Sequence, residues 1–100
     1  MLSLQDKVIL VTGGSRGIGR AIVETLVRGG SVVAFTYRGS KEAAESIAAA
    51  YPDRVWPYQA DVTDAARAEA IIDELVKKHG RLDGLVNNAG ITQDNLLLRL

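Results

Sequence analysis

The stretch VTGGSRGIG, residues 11–19, carries glycines at 13, 17 and 19 in the spacing G-x-x-x-G-x-G. Each answers a separate steric demand at a strand-to-helix junction. Gly13 can take a backbone turn that a side chain would forbid. Gly17 lets the backbone approach a phosphate, and Gly19 lets the following helix pack tightly on the sheet. That helix offers unpaired N–H groups and a positive dipole end at its N-terminus, a setting for a pyrophosphate. A second spacing with chemical potential is Tyr37-x-x-x-Lys41. On one helix face such a lysine would favour the tyrosinate. Here Gly39-Ser40 intervene as turn and cap, so the two cannot share a helix. His79, the single histidine, falls in the last turn of a helical pattern and is expected to serve the helix dipole.

The elements around these residues alternate. Val8–Val11 is an unbroken apolar run, as suits a strand buried on both faces of a parallel sheet. Ile18, Ala21, Ile22, Thr25 and Leu26 follow helical spacing, and Gly29-Gly30 supplies the stop. Val32–Phe35 is a second strand. Ser40 can cap a helix bearing Ala43, Ala44, Ile47, Ala48 and Tyr51, closed before Pro52. The third strand, Arg54 to Gln59, contains Pro57 and therefore belongs at a sheet edge. Thr63 or Asp64 caps a helix with Ala68, Ile71, Ile72, Leu75 and Val76 on one face, ended by Gly80. Leu82–Val86 is the fourth strand. Asp94 or Asn95 then caps a helix of which Leu96–Leu100 is the first turn. The α/β pattern predicts the N-terminal, dinucleotide-binding part of a single Rossmann-type domain over residues 1–100, doubly wound and parallel with strand order 3-2-1-4, with no strand after the fourth. Strand 4 would then have a free edge, through which the 100 residues alone are expected to dimerise, recruit the missing half or aggregate.

Three motifs in order, TGGSRGIG, Asp61-Val62 and the NNAG of residues 87–90, make the chain resemble the short-chain dehydrogenase/reductase family along its whole length. Within it, SRGIGRAI and NNAGITQDNLLLRL look most like bacterial 3-oxoacyl-[acyl-carrier-protein] reductases. The resemblance implies a dinucleotide held by Gly13, Gly14, Ser15, Arg16, Gly17, Ile18 and Gly19 in the loop. It adds Arg38 after strand 2, Asp61 and Val62 beside the adenine, and Asn88, Ala89 and Gly90 after strand 4, with Asn88 on the ribose. An NAD-binding member would carry an acid at the end of strand 2. Thr36-Tyr37-Arg38-Gly39-Ser40 has none, and Arg38 with Arg16 suits a 2′-phosphate, so NADP(H) is the expected cofactor.

The same resemblance implies reduction of a carbonyl by hydride from the nicotinamide, helped by a Tyr, a Lys, a Ser and a relay Asn. None of these four has a counterpart in the 100 residues, so no catalytic residue is assigned and these residues alone are expected to be inactive. The intact protein is expected to reduce an acyl-carrier-protein thioester, or another small ketone or alcohol partner, as a cytoplasmic homotetramer. A stand-alone nucleotide-binding module is the alternative. Bulk composition fits. Twelve basic and twelve acidic residues balance, which provides no field for nucleic acid or a membrane surface. There is no Cys, hence no disulfide framework or thiolate metal site, and no metal is expected. MLSLQDKVIL has Asp6 and Lys7 within any would-be apolar segment and reads as neither signal peptide nor membrane span.

Overall fold

A strand without a polar residue has no face to give to water. All four residues of β1 (Val8–Val11) are buried, and the rest of the fold supplies their cover. The computed structural model describes residues 4–14, 17–61, 63–88 and 97–99. In it β1 is the centre of a sheet ordered β3-β2-β1-β4-β5, with β2 at Val32–Tyr37, β3 at Val55–Gln59, β4 at Gly84–Asn87 and β5 at Leu97–Arg99. β1 pairs in parallel with both β2 and β4, and β2 pairs in parallel with β3. Helices α1 (Gly17–Arg28), α2 (Lys41–Ala50) and α3 (Ala65–His79) make the crossovers. Alternate strand residues feed two cores. Ile9, Val11, Val33 and Phe35 pack with Val23, Val27, Ala44 and Ile47 of α1 and α2. Leu10 and Ala34 pack on the other face with Ile71 and Leu75 of α3. Each such buried Val, Leu, Ile or Phe side chain contributes about 1.5–3 kcal/mol.

The strand order expected from the sequence is the order found, and Pro57 lies on the edge strand, opposite Phe35. The end of the chain differs from expectation. Leu97–Arg99 is not part of a helical turn; it forms β5, antiparallel to β4, with Leu98 opposite Val86. A single helical turn is costly to nucleate, whereas the outer edge of β4 offers backbone groups already in line. The free edge expected on strand 4 is therefore covered at Leu85–Asn87. Asp94, Asn95, Leu96 and Leu100 lie outside the described residues.

Helix ends follow the sequence in part. The Asp64 carboxylate accepts the Arg67 N–H at 3.0 Å, and Gly80 closes α3 in the left-handed conformation, φ 81°. Ser40 stands at the N-cap of α2, but its side chain makes no capping bond. Val76 and Ile18, both read as core-facing, are 43% and 64% exposed. Asp83 joins the starts of two strands: one carboxylate oxygen accepts the Val8 N–H at 2.8 Å and the other the Arg81 guanidinium.

His79 departs furthest from its expected role. Its ring packs against Trp56 of β3, centroids 6.0 Å apart. Lys78 Nζ stands 3.3 Å from the Trp56 ring centre, in cation–π contact. His79 Nε2 and Trp56 Nε1 are both buried and unpartnered among the described residues. Burial, then the Lys78 charge, hold His79 below the usual imidazole value. A helix C-terminus would favour the imidazolium; burial against Trp56 outweighs it. The unfolded chain, with an ordinary imidazole pKa of about 6.5, thus binds the proton more tightly than the fold. Stability is accordingly full above that value and falls as pH drops through it, levelling off below the folded pKa. Melting midpoints between pH 7.5 and 5.5 should show this fall in the wild type and a flatter profile in His79→Gln. Identical profiles would refute it.

Candidate nucleotide site

Parallel registry brings the C-terminal ends of β1, β2 and β4 together. Val11 stands opposite Phe35 on one side and Val86 on the other, so Thr12, Thr36 and Asn87 become neighbours. Backbone and side-chain bonds then fix the glycine loop. Thr12 N donates to Val86 O at 2.9 Å, and Thr12 Oγ1 donates to Asn87 Oδ1 at 3.2 Å. Gly13 is held from both flanks: its N–H donates to Thr36 Oγ1 at 3.0 Å, and its carbonyl accepts Asn88 Nδ2 at 3.1 Å. Gly14 N donates to the Thr36 carbonyl at 2.9 Å. Asn88, assigned by resemblance to a ribose, thus has its amide nitrogen on the loop itself.

The glycines divide the work differently from the expectation set by their spacing. Gly13 and Gly17 have φ 70° and 58°, where a side chain is strained. Around Gly17, among the described residues and apart from its chain neighbours and its own helix backbone, no atom lies within 4 Å of where a Cβ would stand, as approach to a phosphate requires. Gly19 packs not on the strands but on the turn before it: a Cβ there would collide with the Gly13 carbonyl and come 2.7 Å from Asn88 Nδ2. Gly14 has a packing role the spacing did not reveal. A Cβ would lie 2.5 Å from Phe35 Cβ and 2.9 Å from Val23 Cγ2. Its only signal in the sequence is the Gly-Gly doublet. Ile18 opens α1 from an exposed position. Ser15, Arg16, Val62, Ala89 and Gly90 lie outside the described residues.

Beside the loop, on the α3 face, is a cleft of about 270 Å³. Leu10, Ala60, Ala68 and Ile71 give it apolar walls; Thr12, Thr36, Asp61, Thr63 and Asn87 give it polar groups. Such a cleft suits a flat heterocycle with polar edges. Asp61 closes a local turn: its Oδ1 accepts the Thr63 N–H at 2.9 Å and the Thr63 hydroxyl at 2.8 Å. Those bonds, and Arg38, hold its carboxyl below the usual range. Its Oδ2 lies 3.9 Å from Arg38 Nη2, and the Arg38 side chain is 83% exposed. A pair this open and this long is weak, so Arg38 can exchange it for another anion.

Tyr37 and Lys41 separate as expected. Tyr37 ends β2 with its ring near Phe35, while Lys41 opens α2 and pairs with Glu45. Among the described residues no cluster of three His, Cys, Asp or Glu could hold a metal ion, and no helix is long and apolar enough to cross a membrane. The contact between Gly19 and Gly13 makes a direct prediction. Gly19→Ala overpacks a site walled by backbone, at about 1–3 kcal/mol, and should lower the denaturant midpoint; an unchanged midpoint would rule out the close approach.

Comparison with known proteins agrees with this geometry. The family model described as short chain dehydrogenase matches residues 7–100. The 3-oxoacyl-[acyl-carrier-protein] reductase FabG of Staphylococcus aureus is 50% identical over 97 residues, covering 94% of this chain and 39% of that protein. FabG of Salmonella typhimurium is 44% identical over 99 residues, covering 99% and 40%. A short-chain dehydrogenase from Burkholderia cenocepacia, solved in complex with NADP, superposes with a TM-score of 0.82 at 43% identity, covering 94% of this chain and 40% of its own. The chain thus spans about 40% of the length of the relatives it matches. A glycine loop fixed between β2 and β4, on a 3-2-1-4 sheet matched by that family from residue 7 onward, makes this chain a member of the short-chain dehydrogenase family.

Proposed function

We propose that these residues form the cofactor site of an NADPH-dependent reductase whose substrate is a 3-oxoacyl thioester of acyl-carrier protein. The observation that carries the cofactor part is Arg38. It stands exposed at the end of β2, where NAD-binding members place an acid, and its one ion pair is the weak contact to Asp61. Bound NADPH supplies the hydride. Gly17 and the start of α1 receive its pyrophosphate, with Gly13, Gly14 and Gly19 shaping the loop. Ser15, Arg16 and Ile18 belong to the same loop, and Asp61 with Val62 lies beside the adenine. Asn88, Ala89 and Gly90 form the far wall. The substrate part is supported by the likeness to the two FabG proteins. A ketone or alcohol outside fatty acid synthesis is the second reading, favoured by the equally similar short-chain dehydrogenases whose names carry no acyl substrate. On either reading the residues that move the proton lie outside residues 1–100, which act as one nucleotide-binding unit. The whole protein then works as a cytoplasmic homotetramer.

Fluorescence titration of Arg38→Asp tests the cofactor. A contact charge pair near a surface is worth up to about 4 kcal/mol, so reversing the charge should lower NADPH affinity relative to NADH by about tenfold to a hundredfold or more. An unchanged ratio removes Arg38 from the proposal. The 100 residues alone should turn over neither an acyl thioester nor a simple ketone with NADPH; detectable NADPH oxidation would refute the assignment of catalysis elsewhere.

A further inference from the structure

Two polar residues, Ser31 and Thr36, are buried among the described residues. Ser31 has a plain structural use, since its hydroxyl donates to the Leu4 carbonyl at 2.8 Å. Thr36 is 5% exposed at the point where β2 stops being wholly apolar. Valine would pack there with the same branching and nearly the same volume. A buried hydroxyl costs free energy unless it is hydrogen-bonded, and the partner it has is the Gly13 N–H at 3.0 Å. The Thr36 carbonyl takes the next amide, Gly14 N, at 2.9 Å. One residue of β2 therefore engages two successive amides of the glycine loop.

This has a consequence for the ligand. The N–H groups of Gly13 and Gly14 point at β2 and are not available to a phosphate. Amides that meet the pyrophosphate must come from further along, where Gly17 turns with φ 58° into open space and α1 begins. The loop is thus anchored at Gly13 and Gly14 and turns outward at Gly17. Asn88 secures the same peptide from β4 through the Gly13 carbonyl, and Gly19 sits against that carbonyl with no room for a Cβ. A shift of Gly13 would carry the start of α1 with it.

We infer that Thr36 is a positioning residue for the dinucleotide: its hydroxyl fixes Gly13, so that the later amides of the loop are set at the distance a pyrophosphate needs. The inference rests on the proposed nucleotide site and deepens it. It touches neither Arg38 nor the choice of 2′-phosphate, and this separates the two in experiment.

The test compares wild type, Thr36→Val and Thr36→Ser in the same protein, with NADPH and with 2′-AMP, which keeps the 2′-phosphate and adenine but has no pyrophosphate. Thr36→Val should weaken NADPH by about tenfold or more, as loss of one partner of a buried donor implies, and 2′-AMP by clearly less, since its adenine meets only the cleft that Thr36 helps to line. Thr36→Ser should stay within about threefold of wild type for both. Equal loss of NADPH and 2′-AMP in the valine variant, or a serine variant as weak as valine, overturns the inference. Amide hydrogen exchange at Gly13 decides the clamp without any nucleotide. Slow exchange in wild type and Thr36→Ser supports it; exchange at the rate of an unstructured chain overturns it, even should Thr36→Val not fold. A wild type that binds neither NADPH nor 2′-AMP instead strikes down the cofactor reading, and Gly13 exchange still decides the clamp.

Discussion

The Gly13 peptide is the group on which the site depends. Its N–H is held from β2 and its carbonyl from β4, two strands that never touch each other because β1 lies between them. Those two bonds close an arch across the top of the sheet. The arch exists only because β1 is parallel to both neighbours and in register, with Val11 opposite Phe35 and Val86. Burial of an all-apolar strand thus leads, through registry, to the shape of a polar loop. Gly19 extends the same logic into α1, whose first turn rests on the carbonyl that Asn88 holds.

Much of this was legible in the sequence, and the reasons are local. Unbroken apolar runs, helical spacing and the glycines identified strands 1 to 4, three helices and the sheet order. Pro57 marked the edge strand because its missing donor is a property of the residue itself. Asp64 capped α3 through its carboxylate and Gly80 ended it through its freedom at positive φ. Within the site, the turn at Gly13 and the need for a glycine at 17 were readable from spacing. The Gly14 contact with Phe35 and Val23 was not, since it depends on how closely α1 and β2 approach. Nor was the Thr36 contact, which joins residues 23 positions apart.

The failures share a cause: each is a place where tertiary contact overrides a local preference. Leu97–Arg99 was expected in a helical turn but has a strand edge beside it in space, and the edge wins. His79 occupies a helix end that favours its charge, yet lies against Trp56 and near Lys78, and burial wins. Ile18 follows the helical period and still faces outward, because the buried face of α1 is the one that carries Gly19, Val23 and Val27.

On the proposed cofactor reading, the exposure of Arg38 sets how the site would respond to its medium. A guanidinium 83% open to solvent attracts a phosphate across water in which the Debye length is about 8 Å at physiological ionic strength. The apolar walls at Leu10, Ala60, Ala68 and Ile71 feel no such damping. Of the two contacts that reading assigns, to the heterocycle and to the extra phosphate, only the second would then be screened by salt. Discrimination between the two nicotinamide cofactors would belong to the solution as much as to the protein, narrowing as ionic strength rises while the common grip on the adenosine persists.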